Sequence, residues 1–237
     1  MVLSLNAIVL SKIKFKENDL IVKTYTKQKG VISYILKGVL SSKKNKKIAY
    51  FQLLSQLEIE TNFKANRNLH YLKDCKNHHL YRSLHTNIYK STIALFIAEI
   101  LTLVLNEEEQ NDMLFSYIES SLLWLDLNTE LANFHLLFLM NLTKYLGFYP
   151  DDTNQNFNYF NLNDGEFQLH NSSNSISLEN LSLFKAFLGI NFDEINKIKI
   201  NAQQRTIFLN TILKYYEFQL LDFRKPKSLK VLNDVFS

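Results

Sequence analysis

The chain has 237 residues, of which 46% are hydrophobic and 21% are charged; this composition excludes an intrinsically disordered protein and allows one large core or two smaller ones. It contains one cysteine, Cys75, which excludes an intramolecular disulfide and is typical of a reducing compartment such as the cytoplasm. The formal net charge of +4 excludes little by itself, because the charges are distributed unevenly.

Three blocks of the chain differ in the sign of their charge. Residues 1–80 contain 15 Lys and Arg against 5 Asp and Glu, residues 81–190 contain 4 against 13, and residues 191–237 contain 8 against 5. A basic excess confined to one predicted domain is expected of a surface that binds a polyanion. A solvated lysine-rich face, typical of an AT-rich genome, is the alternative, and charge alone does not decide between the two.

The N-terminus predicts no export signal, because no basic residues precede its apolar residues and polar residues interrupt them. The most apolar stretch, residues 93–105, is interrupted by Glu99 and is shorter than the roughly 20 residues of a membrane span. We therefore expect a cytoplasmic protein without a transmembrane helix.

The first part of the chain predicts five short strands, at residues 4–14, 19–26, 31–37, 50–61 and 68–74, from alternation and β-branched residues. The polar connections 15–18 and 27–30 have hairpin length, and the second ends in glycine. Residues 41–47 read Ser-Ser-Lys-Lys-Asn-Lys-Lys, which is too polar for a core and predicts a loop tip. Five short strands within about 75 residues indicate a small barrel such as the OB-fold.

From residue 78 onwards the apolar residues recur at helical spacing. This pattern predicts one long helix at 78–105, a second at 111–127, and a third that Asn128 or Thr129 caps and that ends at Gly147, the three forming a bundle. Further helices are predicted at 178–189 and 202–221, and Pro226 separates the second of them from a short C-terminal piece, residues 228–236. The fold class is therefore α+β: an N-terminal OB-fold β-barrel (residues 1–77) is followed by a mainly α-helical domain (78–237), with a hairpin-containing insertion at 151–177.

A search for catalytic chemistry finds no convincing constellation. The five glycines are too scattered for a phosphate-binding loop, which argues against nucleotide hydrolysis. The soft-ligand cluster Cys75, His78, His79 and His85 lacks the second thiolate of a zinc finger, and its alternative is histidines on the first turns of a helix. The carboxylates at 107–109 and 151–152 lie at helix ends, where acidic residues are easily solvated. We predict no catalytic residue, no metal and no cofactor.

Several consecutive segments are informative when they are taken together. In the barrel these are Ala7–Leu10, the turn Glu17-Asn18-Asp19, Tyr25-Thr26, Lys29-Gly30, Lys37-Gly38 and the lysine-rich loop 41–47. In the helical part they are residues 144–150, Tyr215-Tyr216-Glu217 and residues 227–232. In this order, the segments resemble the RecO family of bacterial recombination mediators. One departure is that many members carry a four-cysteine zinc site where residues 151–177 contain no cysteine. A metal-free hairpin around 163–166 is expected instead, held by Phe157, Tyr159, Phe160 and Phe167.

The resemblance implies a non-enzymatic protein of DNA repair that is cytoplasmic and nucleoid-associated. It implies binding to single- and double-stranded DNA, annealing of complementary strands, and help in loading a RecA-like recombinase onto DNA coated with single-strand-binding protein. The implied partners are DNA, a RecR-like protein, the acidic C-terminal tail of single-strand-binding protein and, indirectly, the recombinase. Such a tail requires an apolar pocket with a cation at its rim, for which the candidates are Arg82, Lys90, Lys144, Lys185 and Arg205.

An OB barrel binds single strands with cations on phosphates and aromatic rings on bases. The candidates for stacking are Tyr25 and Tyr34. The candidates for phosphate contact are Lys12, Lys14, Lys16, Lys27, Lys29, Lys37, Lys43, Lys44, Lys46, Lys47, Lys64 and Arg67. The alternative from another class is an adaptor whose basic barrel contacts a protein partner, and a hydrolase or nuclease is a weaker third possibility.

Overall fold

The computed structural model describes residues 2–41, 46–105 and 110–236. The chain forms two compact units, Met1–Leu127 and Asn128–Ser237. The first unit therefore includes two helices in addition to the barrel, and the predicted domain boundary between residues 77 and 78 stays a prediction. The acidic turn predicted at 107–109 lies outside the described residues.

The first unit contains an OB-like, closed five-stranded barrel, as predicted. Its strands are β1 (Val2–Phe15), β2 (Asp19–Thr26), β3 (Gly30–Leu36), β4 (Gln56–Asn62) and β5 (His70–Asn77), and they close in the order β1-β2-β3-β5-β4. Neighbouring strands are antiparallel except β3 and β5, which pair in parallel over only two residue pairs. Side chains of successive residues in a strand point to opposite faces. The interior is filled by alternate residues, among them Leu5, Ala7, Val9, Leu20, Val22, Ile32, Tyr34, Leu36, Leu57, Ile59 and Cys75.

The strand predicted at 50–61 is wrong in its first part. Residues Lys46–Tyr50 form a 3₁₀ helix, and β4 begins only at Gln56. Before it, Leu54 has a left-handed backbone (φ 62°) and donates its N–H to the carbonyl of Val9 at 2.7 Å. This hydrogen bond to β1 takes the place of the regular strand pairing that a longer β4 would have formed.

Two helices complete the first unit: α1 (Ile88–Val104) and α2 (Asp112–Leu127). The predicted start of the first helix at residue 78 is wrong by ten residues. The carboxylate of Asp126 accepts hydrogen bonds from the N–H groups of Arg82, Ser83 and Leu84 at 2.7–2.8 Å. These backbone donors are therefore satisfied without helical hydrogen bonds. The helix begins after Asn87, whose side chain accepts from the first turn.

The second unit contains four helices among its described residues: α3 (Phe134–Leu146), α4 (Leu178–Phe187), α5 (Ala202–Gln219) and α6 (Leu229–Phe236). The predicted cap of α3 at 128 or 129 is wrong, since the cap position is Asn133, whereas its end at Gly147, with φ 83°, is confirmed. A 3₁₀ helix, Phe192–Lys197, packs against α3. The predicted bundle of the first three helices is divided, because α1 and α2 belong to the first unit and α3 to the second.

The predicted cysteine-free hairpin is confirmed. Strands β6 (Tyr159–Asn161) and β7 (Glu166–Gln168) pair in antiparallel fashion, and β8 (Ser175–Ser177), which was not predicted, extends the sheet on the other side of β6. The ring of Phe160 lies 5.0 Å from Phe167 and 4.3 Å from Phe184 of α4. Aromatic packing thus anchors this sheet. Within the described ranges, no helix is both long enough and apolar enough to span a membrane.

Candidate nucleic-acid interface

A row of apolar side chains crosses the outer face of the barrel. Ile13 of β1 is opposite Ile21 of β2, Ile21 is opposite Ile35 of β3, and Ile35 is opposite Tyr71 of β5. These residues alternate with the interior residues of β2 and β3, so they point away from the core. Ile13 is 63% exposed and Tyr71 is 50% exposed, whereas Ile21 is half-buried and Ile35 is only 8% exposed. We call these four residues the outer row; it spans four strands, and its two ends are open to solvent.

Cations flank the outer row. Lys23 of β2 lies two residues after Ile21 and therefore on the same face of the strand. It is opposite Ser11 of β1 and Ser33 of β3. The ammonium of Lys37, just after β3, lies 5.1 Å from the centre of the Tyr71 ring, within the range of a cation–π contact. In the part of the chain that the structure describes, neither lysine forms an ion pair. Their charges are therefore free to bind an anion.

The lysines of the β4–β5 side differ because they are neutralised. Lys73 lies 3.3 Å from Glu60, and Lys76 lies 2.9 Å from Glu58. The hydrogen bond from Lys76 lowers the pKa of the Glu58 carboxyl. These two lysines are therefore less available to bind an anion than Lys23 and Lys37.

A cavity of about 290 Å³ opens beside β3, where its short pairing with β5 ends. Phe63 and His70 stack on one side of it, with ring centres 4.8 Å apart and planes 10° apart. The cavity, which we call the β3 pocket, is lined by Lys29, Val31, Ile32, Ser33, Phe63, Ala65, Arg67, Asn68 and His70. Ser33 is opposite Lys23 and lies two residues before Ile35, so it is on the face that carries the outer row. The β3 pocket therefore continues this face.

The structure brings together some of the predicted DNA-binding residues. Lys29 and Arg67 line the β3 pocket, and Lys64 is exposed in the same connection as Arg67. Lys37 lies beside the outer row, and Lys16 has its ammonium 5.4 Å from the Phe15 ring. Of these five cations, Lys29, Arg67 and Lys37 lie at the β3 pocket or at the outer row.

Other predicted residues lie elsewhere. Lys12 and Lys14 are exposed but are opposite the interior residues Val22 and Leu20, so they point to the other face of β1. Lys27 is half-buried in the β2–β3 turn. Lys43 and Lys44 lie outside the described residues, as do the side chains of Lys46 and Lys47.

The two predicted stacking rings are buried, which argues against that role. Tyr25 is 1% exposed, lies 5.9 Å from the ring of Phe115 of α2, and donates its hydroxyl to the carbonyl of Asn111 at 3.2 Å. Tyr34 is fully buried among the interior residues of the barrel. Tyr71, which is half exposed, and Phe63, which lines the β3 pocket, are better placed for this role.

Sequence reasoning missed Lys23, Tyr71 and Phe63. The alternation of β2 contained a signal for Lys23, because it places this lysine on the face opposite Val22 and Thr24. Tyr71 joins the outer row only through the parallel pairing of β3 with β5, which no local pattern reveals.

The second unit contains a separate cavity of about 420 Å³. Ile195, Ile198 and Ile200 give it an apolar lining, Arg205 of α5 and Lys199 supply cations, and Glu130 supplies one carboxylate. One guanidinium nitrogen of Arg205 donates to the side-chain oxygen of Asn133 at 3.2 Å, while its Nε is buried without a partner among the described residues. Burial lowers the pKa of Arg205 from its ordinary value. We call this cavity the Arg205 pocket.

The other candidates for a tail-binding cation are less suitable. Lys90 is buried and donates to the carbonyl of Asp126 at 2.6 Å, and Lys185 donates to the carbonyl of Phe157 at 3.0 Å. Lys144 lies over the ring of Tyr149, and Arg82 is exposed near Asp126. None of these four lines the Arg205 pocket.

The cysteine–histidine cluster is dispersed. Cys75 belongs to the barrel interior, the Nε2 of His85 is 2.9 Å from the carbonyl of Leu53, and His78 lies 3.7 Å from Glu119. The alternative reading, with histidines on the first turns of a helix, is also wrong, because α1 begins ten residues after His78. Across residues 2–41, 46–105 and 110–236, no three metal-ligating side chains come together.

Comparison with known proteins gives a consistent result over the whole chain. Residues 1–81 match the family described as "Recombination protein O N terminal", and residues 85–230 match "Recombination protein O C terminal". The chain is 47% identical over 239 residues to a protein of Christiangramia forsetii named "DNA repair protein RecO", with all of both chains covered. Proteins of the same name from Flavobacterium psychrophilum and Flavobacterium johnsoniae are 43% and 41% identical, each with 98% of both chains covered.

Proposed function

Because the chain belongs to the RecO family of DNA repair proteins, we propose that it is a non-enzymatic recombination mediator that binds single-stranded DNA on the outer face of its barrel. The single observation that carries this proposal is the outer row, an apolar row with exposed ends that is bordered by lysines without ion pairs in the described part of the chain. Single-strand binding requires this combination, in which cations contact phosphates and apolar or aromatic groups contact base faces.

The same face explains how annealing of complementary strands could be promoted. Phosphate repulsion opposes the approach of two strands, and lysines that neutralise phosphates reduce it. Contacts through base faces along the outer row leave the hydrogen-bonding edges of those bases available for a second strand. The DNA is thus held in a form in which pairing is possible.

The salt dependence of binding is the direct test. Fluorescence anisotropy of a labelled single-stranded oligonucleotide is measured between 50 and 200 mM salt. If six phosphates are contacted, log K falls with log salt with a slope of about −4, so affinity drops roughly 300-fold over this range. Affinity that is independent of salt contradicts the proposal, and absent binding at moderate salt supports the alternative of a protein-binding adaptor. Incubation of DNA with the protein and magnesium should leave its length unchanged.

The lysine-rich loop remains part of the proposal. Lys43, Lys44, Lys46 and Lys47 together carry four of the positive charges of residues 1–80. Changing all four to alanine should weaken binding and reduce the salt slope. Wild-type affinity in this variant would remove the loop from the interface.

The proposal includes the Arg205 pocket as the docking site for the acidic, hydrophobic C-terminal tail of single-strand-binding protein. Its three isoleucines suit apolar side chains, and the partly buried guanidinium suits a carboxylate. Through this contact and a RecR-like partner, the protein would help a RecA-like recombinase onto coated DNA in the cytoplasm, at the nucleoid.

A labelled peptide with such a tail tests the docking site. The variant Arg205→Gln should weaken peptide binding at least tenfold, as expected when a buried charged hydrogen bond worth about 1.5–3 kcal/mol is lost. Lys214→Gln, which removes an exposed charge from the same helix, is the matched control and should bind normally. Equal loss in both variants would contradict the assignment of the pocket.

A further inference from the structure

The aromatic ring of Phe63 has a fixed position in the β3 pocket. One face of the ring stacks on the imidazole of His70, at a centre-to-centre distance of 4.8 Å. His70 is only 4% exposed, and Phe63 itself packs in part against the barrel interior. Burial, the largest effect, lowers the pKa of His70, so the imidazole is neutral at pH 7. The Phe63 ring is therefore held before any ligand arrives.

A second group over the Phe63 ring is the ammonium of Lys29, 5.8 Å from the ring centre. This distance is near the outer limit of a cation–π contact, and such contacts at exposed sites are weak. A long, exposed lysine side chain can move away at small cost, and a planar ligand can then take its place.

The polar groups around the ring match the edge of a nucleobase. Ser33 brings a hydroxyl, Asn68 an amide and Arg67 a guanidinium to the same cavity, and together they can donate and accept hydrogen bonds. The volume of about 290 Å³ is near the lower end of ligand pockets, roughly 300 Å³. A single phosphate would use Arg67 and Lys29 but would leave the Phe63 ring without a role.

We propose that the β3 pocket binds one unpaired nucleobase, which stacks on Phe63 in place of the Lys29 ammonium while Lys29 and Arg67 contact the adjoining phosphates. This inference rests on the proposed function, since the base belongs to a strand bound along the outer row. A base within a duplex is stacked on both sides and paired at its edge, so it cannot enter. The β3 pocket consequently gives the barrel a preference for single strands over double strands.

The test compares Phe63→Leu on two oligonucleotides of equal length and charge. One is oligothymidylate, and the other is an abasic oligonucleotide with the same number of phosphates. Loss of one stacked base should weaken binding of the variant to oligothymidylate roughly 5- to 150-fold, which corresponds to 1–3 kcal/mol. Binding to the abasic oligonucleotide should change less than twofold. Phe63→Trp, which retains a stacking surface, should restore affinity for oligothymidylate.

The control is Phe218→Leu on α5, where Lys214 lies 5.6 Å from another half-buried phenylalanine ring. This variant should bind both oligonucleotides like the wild type. Equal loss by Phe63→Leu on both oligonucleotides, or no loss on either, overturns the base site. In the second case salt-dependent binding by the wild type leaves the proposed function intact, whereas a wild type that does not bind overturns both. Thermal unfolding of each variant verifies that it is folded. If Phe63→Leu does not fold, Phe63→Trp supplies the test.

Discussion

Replacing Lys23 and Lys37 together by glutamine should weaken single-strand binding in a salt-dependent way. Both lysines border the outer row and form no ion pair among the described residues. Each phosphate contact on a single strand contributes about 0.7 to the salt slope, so the double variant should have a slope smaller by about 1.4. The same relation predicts roughly 25-fold weaker binding at 0.1 M salt and about 3-fold weaker binding at 0.5 M.

Anisotropy titrations of both proteins across this salt range measure the difference. The matched control is the double variant Lys73→Gln and Lys76→Gln, which removes the same charge from the same barrel. These two lysines are neutralised by Glu60 and Glu58, and exposed pairs of this kind contribute about 0–1 kcal/mol to stability. The control should therefore bind within about threefold of the wild type.

The reasoning is refuted if the two double variants lose the same affinity. Binding would then depend on the total charge of the barrel and not on the face that carries the outer row. It is also refuted if the ratio of the affinities of the wild type and the Lys23/Lys37 variant stays the same at all salt concentrations. Lost phosphate contacts must reduce the slope of log K against log salt.

Three further predictions concern stability. Asp126→Asn should lower the free energy of unfolding by at least about 2 kcal/mol in urea titrations, because the buried carboxylate accepts three backbone N–H groups. An unchanged midpoint of the urea transition would show that residues 82–84 find other acceptors. Burial, with a smaller effect of Arg205, lowers the pKa of His135 from 6.5 to about 3. As the pH falls from 7 to 5, His135 binds a proton in the unfolded chain but not in the folded chain, so the free energy of unfolding should fall by about 2 kcal/mol. The variant His135→Leu should lose this share of the pH dependence. An unaltered pH dependence in the variant would assign it to other groups. Gly165→Ala should cost about 2–3 kcal/mol, since φ is 72° and the new Cβ would lie 2.9 Å from the Tyr215 hydroxyl oxygen. Gly189→Ala, with φ 74° and no atom within 4 Å of the Cβ, should cost only about 1 kcal/mol, and equal melting temperatures of the two variants would contradict the close contact.

Much of the barrel could be predicted because strand alternation is local. The pattern of residues 19–26 identifies β2 within its observed bounds, and the glycine at position 30 marks the turn before β3. Errors occurred where a distant group satisfied the backbone. Asp126 binds the segment 82–84 that helical periodicity had assigned to α1, and the contact of Leu54 with Val9 delays β4.

The candidate site was predicted in part. The lysines of the barrel were identified by charge, but charge does not tell a free lysine such as Lys37 from a paired one such as Lys76. Aromatic residue type also does not reveal exposure. Tyr25 lies beneath α2 and Tyr34 inside the barrel, whereas Tyr71, of the same type, is half exposed.

The sequence by itself determined the order of the five barrel strands and of the helices α1 to α5, the basic character of the barrel and the absence of cysteine ligands from residues 151–177. These properties depend on composition and on neighbours within a few residues. Only the tertiary structure decided which side chains share a face, because the outer row and the β3 pocket both require β3 to pair with β5, about 36 residues further along the chain. Such a pairing depends on the closure of the whole barrel around its interior residues, and no local pattern encodes it.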